Sequence, residues 1–260
     1  MKVKELYNAI DGVAPFAISR AFCDSFGMYD NSGVQLDCGG EITGVLFALD
    51  LSFRAIEEAK KKGYNCIVTH HPAIFAKLGS LTPSGAGAAV LACAREGISV
   101  ISAHLNLDGA PNGIDEQLMK ALGGDTAIAV MEEAAGGGYG RVYDIAAPGP
   151  FKDFLTDIKT ELHAERVTVY GDGTVKRVAS FCGAGLDEKA LAFAAAHGAD
   201  TIVSSDGKHH LILAAVEKGM KVVLFTHYAC EQYGFARFAK QIGKLIKGTP
   251  CTVFTDKRFL

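Results

Sequence analysis

The feature that most restricts how this chain can fold is a recurring unit: a helical stretch, a glycine, then a short apolar run. Ala55-Ile56-Glu57-Glu58-Ala59-Lys60-Lys61-Lys62, Gly63 and Cys66-Ile67-Val68-Thr69 make one such unit, and Ala190 to His197, Gly198 and Thr201-Ile202-Val203-Ser204 make another. Consecutive apolar residues, rather than alternating ones, mark strands covered on both faces. Helices between such strands demand crossover connections, so the pattern specifies parallel βαβ units and an α/β fold with mostly parallel sheets. Thr43-Gly44-Val45-Leu46-Phe47-Ala48-Leu49-Asp50 is a buried strand, and Ser52 is placed to cap the helix after it. Helices are expected at 2–11 and 14–22 around the break Gly12 to Pro15, and at 151–162, 187–197, 210–218 and about 228–246. Strands are expected at 65–69, 99–103, 141–146, 166–170, 176–182, 200–204, 221–226 and 251–254. Gly136-Gly137-Gly138 reads as a flexible turn, and Gly171-Asp172-Gly173 as a hairpin between 166–170 and 176–182.

The two halves repeat one another. Leu91 to Ile101 has the layout of Leu213 to Val223, and each strand then ends at a histidine followed four residues later by a carboxylate: His104 with Asp108, and His227 with Glu231. This describes two related α/β lobes, 1–125 and 126–260, which can interleave, with a site in the cleft between them.

Composition excludes several classes. A net charge of −3 at 260 residues argues against a nucleic-acid or anionic-membrane surface. No apolar run approaches the roughly 20 residues that span a bilayer. Seven scattered cysteines without a C-x-x-C pair read as reduced thiols of a cytoplasmic protein.

Chemistry concentrates at strand ends, where ligands gather in α/β folds. The buried run Cys66 to Thr69 leads into His70-His71-Pro72, two imidazoles with little conformational freedom before a proline stops regular structure. Two other ends carry His104 to Asp108 and His227 to Glu231. Even without His104, three imidazoles and two carboxylates exceed the needs of one four-coordinate ion and suit two ions sharing a carboxylate and a water. This donor chemistry fits Zn, Fe or Mn better than Ca or Mg. His104 reads as a ligand, an orienting residue or a proton shuttle. His209-His210 either faces the cleft or opens a helix, and Cys230 reads as packing. Asn31 to Gln35 reads as a plain turn or a cleft wall, and His163 and His197 read as surface residues. Gly183-Ala184-Gly185 lacks the third glycine of a dinucleotide loop.

Three blocks, Thr69-His70-His71-Pro72-Ala73-Ile74-Phe75, Ala103-His104-Leu105-Asn106-Leu107-Asp108 and His227-Tyr228-Ala229-Cys230-Glu231, resemble the signatures of the dinuclear-metal-centre hexameric proteins. These are the NIF-three-like proteins, labelled GTP cyclohydrolase type-2 homologues. The resemblance runs from Ser32 to the helix after Glu231. It implies two divalent ions (Zn, Fe or Mn) per subunit and a ring-shaped homohexamer with sites facing its cavity. The implied metal ligands are His70, His71, Asp108, His227 and Glu231, with Glu231 bridging, and His104 matches a histidine near the site; on its own chemistry it is the candidate catalytic proton carrier. Thr226 stands where the family usually has glycine, Ser204-Ser205-Asp206 replaces a usual Thr-Gly-Asp/Glu, and Leu105 replaces a common threonine. The expected function is a metal-dependent hydrolase using a metal-bridging hydroxide on an unidentified small molecule, with a nucleotide as one version. The alternative is a non-catalytic metal-binding scaffold or metallochaperone.

Overall fold

The computed structural model describes residues 1–260. In chain order the elements are α1 (Val3–Asp11), α2 (Phe16–Phe26), β1 (Gly33–Leu36), β2 (Val45–Ala48), α3 (Phe53–Lys62), β3 (Cys66–Thr69), α4 (Ala88–Arg95), β4 (Ser99–Ser102), α5 (Leu105–Gly109) and α6 (Ile114–Ala121). They continue with β5 (Ala129–Ala134), β6 (Gly137–Pro150), α7 (Phe151–Glu161), β7 (Val167–Tyr170), β8 (Thr174–Ser180), α8 (Glu188–Ala196), β9 (Thr201–Ser205), α9 (His209–Glu217), β10 (Lys221–Phe225), α10 (His227–Leu245) and β11 (Cys251–Phe254). The chain divides into two compact units interleaved in sequence. The first is Met1–Ala110 with Ala134–Gly137 and Phe235–Thr255, and the second is Pro111–Glu133 with Gly138–Gly234 and Asp256–Leu260. No helix is long and apolar enough to cross a membrane.

The first unit holds a five-stranded sheet in the order β1-β4-β3-β2-β11. β2, β3 and β4 are buried at every residue, as parallel strands covered on both faces must be. One face packs Leu46, Ala48, Ile67 and Val100 against Ala55, Ile56, Ala59 and Cys93 of α3 and α4. From the other, Phe47 meets Phe235 and Phe238 with ring centroids 6.4 and 6.2 Å apart. Ser52 caps α3 by accepting from the Ala55 amide at 3.1 Å, and Gly63 ends it at φ +69°.

The second unit holds a six-stranded sheet in the order β5-β6-β8-β9-β10-β7. Its parallel centre β8-β9-β10 is crossed by α8 and α9, with Ile202, Val222, Leu191, Leu211 and Ala215 in the core between them. In each unit an antiparallel strand, β1 or β7, precedes three parallel strands and lies beside the last of those three, so β1-β4-β3-β2 and β7-β10-β9-β8 have the same connectivity. The sequence repeat is therefore a repeat of topology.

Several expectations are corrected. The Gly171-Asp172-Gly173 turn does not close a hairpin: β7 pairs antiparallel with β10, on the opposite side of β9 from β8. The parallel sheets expected are present at the sheet centres and where β11 lies beside β2, while β1 with β4, β7 with β10 and β6 with β8 pair antiparallel. The turn expected at Gly136-Gly137-Gly138 lies at Ala135 and Gly136, both at positive φ, and Gly137 and Gly138 already belong to β6. The second helix begins one residue past Pro15 and runs to Phe26.

Candidate metal centre

In the first unit the ends of β3 and β4 place four donors. The amides of His70 and His71 both donate to the Leu49 carbonyl, at 3.1 and 3.0 Å, which fixes the backbone as it leaves β3. The His70 side chain is fully buried, and its Nδ1 lies 2.8 Å from the Ala103 carbonyl oxygen. His71 Nδ1 lies 2.7 Å from the Asp50 carboxylate at the end of β2. Past β4, the His104 amide donates to Ser32 Oγ at 3.0 Å, and His104 Nδ1 lies 2.9 Å from Asp30. The amides of Leu107 and Asp108 donate to the His104 carbonyl and start α5, which brings Asp108 Oδ1 to 3.5 Å from His70 Nε2. Asn106, buried on the same helix, anchors it by donating to the Ala14 carbonyl at 2.6 Å. The donor atoms of His70, His71 and His104 lie within 4.8 Å of one another, a grouping able to hold a metal ion.

The charges around His104 are arranged for a persistent hydrogen bond. Burial raises the Asp30 pKa, but hydrogen bonds from His104, Ser19 and Ser32 outweigh it and hold the carboxyl at about 2. Burial likewise opposes the imidazolium of His104, yet the Asp30 hydrogen bond and the Asp108 and Asp30 charges raise its pKa above the ordinary 6.5.

In the second unit the donors sit at the start of α10. His227 and Glu231 are one helical turn apart, with Nε2 and Oε1 3.1 Å apart. Thr226 Oγ1 accepts from the Ala229 amide at 3.0 Å, so the threonine that replaces a usual glycine caps the helix carrying both donors. His227 Nδ1 lies 2.5 Å from Asp206, which follows β9 at φ +49°. The Glu231 carboxylate is buried beside Gly183, at φ +59°, and a Cβ at that glycine would overlap Glu231 Oε1. The Gly183 carbonyl accepts from Ser205 Oγ at 2.5 Å and Ser204 Oγ at 3.3 Å, so Ser204-Ser205 holds the loop that walls the glutamate. Behind that loop the buried Asp115 accepts from the Gly140 amide, the Cys182 amide and the Arg141 guanidinium. Cys230 is buried, and burial raises its thiol pKa, which suits the packing role read from sequence.

One rule covers all four imidazoles. Each has an oxygen acceptor at Nδ1: Ala103 for His70, Asp50 for His71, Asp30 for His104 and Asp206 for His227. With Nδ1 carrying the proton, a neutral ring has its lone pair on Nε2, the state a metal requires. Carboxylates behind ligating histidines also raise their basicity and fix their orientation. The donor set is imidazole nitrogen and carboxylate oxygen, which fits Zn, Fe or Mn. The residues read from the sequence are thus brought together within each unit: His70, His71, His104 and Asp108 in one, His227 and Glu231 in the other. The orienting carboxylates Asp30, Asp50 and Asp206 were not anticipated. Their signal is an acid at a turn before β1 or directly after β2 and β9. His209 and His210 open α9, where His210 Nε2 lies 3.4 Å from Glu188. His163 is exposed, whereas His197 is half-buried and bonded at Nδ1 to the Phe193 carbonyl.

The family described as Duf34/NIF3 (NGG1p interacting factor 3) matches residues 1–257. A Clostridium perfringens protein named GTP cyclohydrolase 1 type 2 homolog is 29% identical over 238 residues, 89% of this chain and 87% of that protein. A Staphylococcus aureus protein of the same name is 37% identical over 124 residues, 47% of this chain and 32% of that protein. Among solved structures, Staphylococcus aureus protein SA1388 has a TM-score of 0.84 at 26% identity, over 99% of this chain and 97% of that one. Reduced HcgD from Methanocaldococcus jannaschii has a TM-score of 0.80 at 28% identity, over 98% of each chain.

Proposed function

The chain belongs to the Duf34/NIF3 family, and from that premise we propose that it is a metal-dependent hydrolase whose two units each supply ligands to a pair of divalent ions. The residues that would hold them are His70, His71 and Asp108 from the first unit and His227 and Glu231 from the second. The observation that carries it is the common state of the four imidazoles, each bonded through Nδ1 to an oxygen so that Nε2 is the donor. Two such ions would supply Lewis acidity and would make a coordinated water acidic near neutral pH. The chain's own residues do the rest. Asp50, Asp206 and the Ala103 carbonyl orient three of the rings, and buried Asp108 and Glu231 add negative charge where cations are held. His104, backed by Asp30, takes up and returns a proton beside the ligands.

The name carried by the clostridial and staphylococcal relatives supports a nucleotide as substrate, with purine-ring opening as one version. The resemblance of the three signature blocks supports a homohexamer, and the free cysteines accord with a cytoplasmic location.

Metal analysis of the purified chain, with assays on esters, phosphodiesters and nucleotides for wild type and Glu231→Ala, tests this reading. Two metal equivalents per chain and loss of hydrolysis in the variant are expected. Equal rates in the two proteins would remove the hydrolase and leave a metal-binding scaffold or metallochaperone.

A further inference from the structure

Two aromatic side chains of the first unit, Tyr29 and Phe75, are each 56% exposed. Their rings meet edge to face, with centroids 5.9 Å apart and planes at 72°. Phe75 in turn lies 6.3 Å from the His104 ring, at 78°, and His104 lies 5.1 Å from His70. A line of rings therefore runs from solvent to the buried end of the histidine cluster.

The segments that carry Tyr29 and Phe75 are fastened to each other. Asn31 Nδ2 donates to the Ile74 carbonyl at 2.6 Å, and the Ile74 amide donates to Gln35 Oε1 at 3.2 Å. Gln35 Nε2 donates to the Asn31 carbonyl at 2.6 Å. These amide contacts flank both aromatic positions and hold them in register. A single exposed aromatic residue is ordinary. Two in contact, held by a dedicated side-chain network beside convergent imidazoles and carboxylates, have the anatomy of a small-molecule site: apolar walls with a few placed polar groups. Rigid presentation also removes the ordering cost that a mobile loop would add on binding.

We propose that Tyr29 and Phe75 form an aromatic corner that receives a planar heteroaromatic ring of the ligand and directs it toward the histidine cluster. Perpendicular faces let a flat ring stack on one side chain while its edge meets the other, a geometry aromatic pairs favour. Stacking on an aromatic face tolerates many ring types, so the corner selects for a flat π system and leaves finer choice to the polar groups. The idea rests on the hydrolase reading only in calling the ligand a substrate.

The test is equilibrium binding to the full chain, as purified and after zinc loading. The probes are purine and pyrimidine nucleoside 5′-monophosphates and a pterin, with ribose 5-phosphate as the control without a ring. At least one ring-bearing probe is expected to bind more tightly than ribose 5-phosphate. Phe75→Leu, which keeps apolar bulk but loses the π face, should weaken that probe about tenfold or more, with ribose 5-phosphate unmoved. Tyr29→Phe, which keeps the ring, should retain the affinity. Metal content and oligomeric mass are read on the same samples. Ring probes no tighter than ribose 5-phosphate, unchanged affinity in Phe75→Leu, or a change in oligomeric mass in that variant would each overturn the proposal. Ring binding without bound metal would sink the hydrolase reading and leave the corner standing; metal loading without ring binding would do the reverse.

Discussion

The Asp206 carboxylate lies 2.5 Å from Nδ1 of His227 and turns the other nitrogen of that ring toward the buried carboxylate of Glu231. Asp206 reaches this point because it follows β9 at φ +49°, a backbone state that Asp and Asn tolerate better than other side chains. Asp206→Asn should therefore fold normally, with a melting temperature near wild type. It loses the negative charge beside His227 Nδ1, so zinc or manganese affinity should fall about 10–100-fold. Competition titration against a chromophoric chelator measures this; unchanged affinity would remove Asp206 from the site.

Gly183 allows the Glu231 carboxylate its place. Gly183→Ala adds a Cβ that overlaps Glu231 Oε1 and strains a residue at φ +59°. The left-handed backbone alone should cost about 1–2 kcal/mol. Metal per chain should drop as well, which a purely conformational penalty would not produce. Denaturant unfolding and elemental analysis separate the two effects.

Asp30 and His104 make stability depend on pH in opposite directions. Asp30 has its folded pKa depressed from 3.8 to about 2, so its contribution is fully present above pH 3.8 and is lost as pH falls toward 2. The shift corresponds to about 2 kcal/mol. His104 has its folded pKa raised above 6.5, so its contribution is present below that pH and fades as pH rises through the folded value. In metal-free protein, Asp30→Asn should be less stable than wild type at pH 5, and the gap should narrow at both ends. Urea midpoints across pH measure it; a constant gap would contradict the pairing.

Asp115 supports the Gly183 loop from behind. Asp115→Ala leaves the Arg141 guanidinium buried without its carboxylate and strips acceptors from the Gly140 and Cys182 amides. A loss of about 3–5 kcal/mol is expected, visible as a lowered unfolding midpoint. A shift under 1 kcal/mol would mean that the loop is held otherwise.

What could be read from the chain was whatever local order encodes. β3 running into His70-His71 was legible because four residues of buried-strand character followed by two imidazoles and a proline leave few alternatives. The α10 pair was legible from a four-residue spacing. The orienting acids were not, since Asp50 and Asp206 look like ordinary turn residues. Which imidazole each meets depends on strand order, a long-range property. The same reason defeated the hairpin expected at Gly171 to Gly173. Its glycines satisfy local turn chemistry, but β7 gains more by pairing along Val222 to Phe225 of β10. The turn between β5 and β6 was marked by its glycines, but its start was not, because Ala135, a non-glycine residue at φ +50°, leaves no compositional mark.

The matching connectivity of the two units allows their positions to be compared residue by residue. His71 and Asp206 occupy the same place, two residues beyond Thr69 and its counterpart Ser204 in the repeated strands. One copy of the module therefore offers a lone pair at that place, and the other offers a buttress for a neighbouring ring. At a single backbone address the two copies of the module thus do different work and are not interchangeable. A tandem of two first-unit modules would be rich in imidazole yet lack the carboxylate that seats His227.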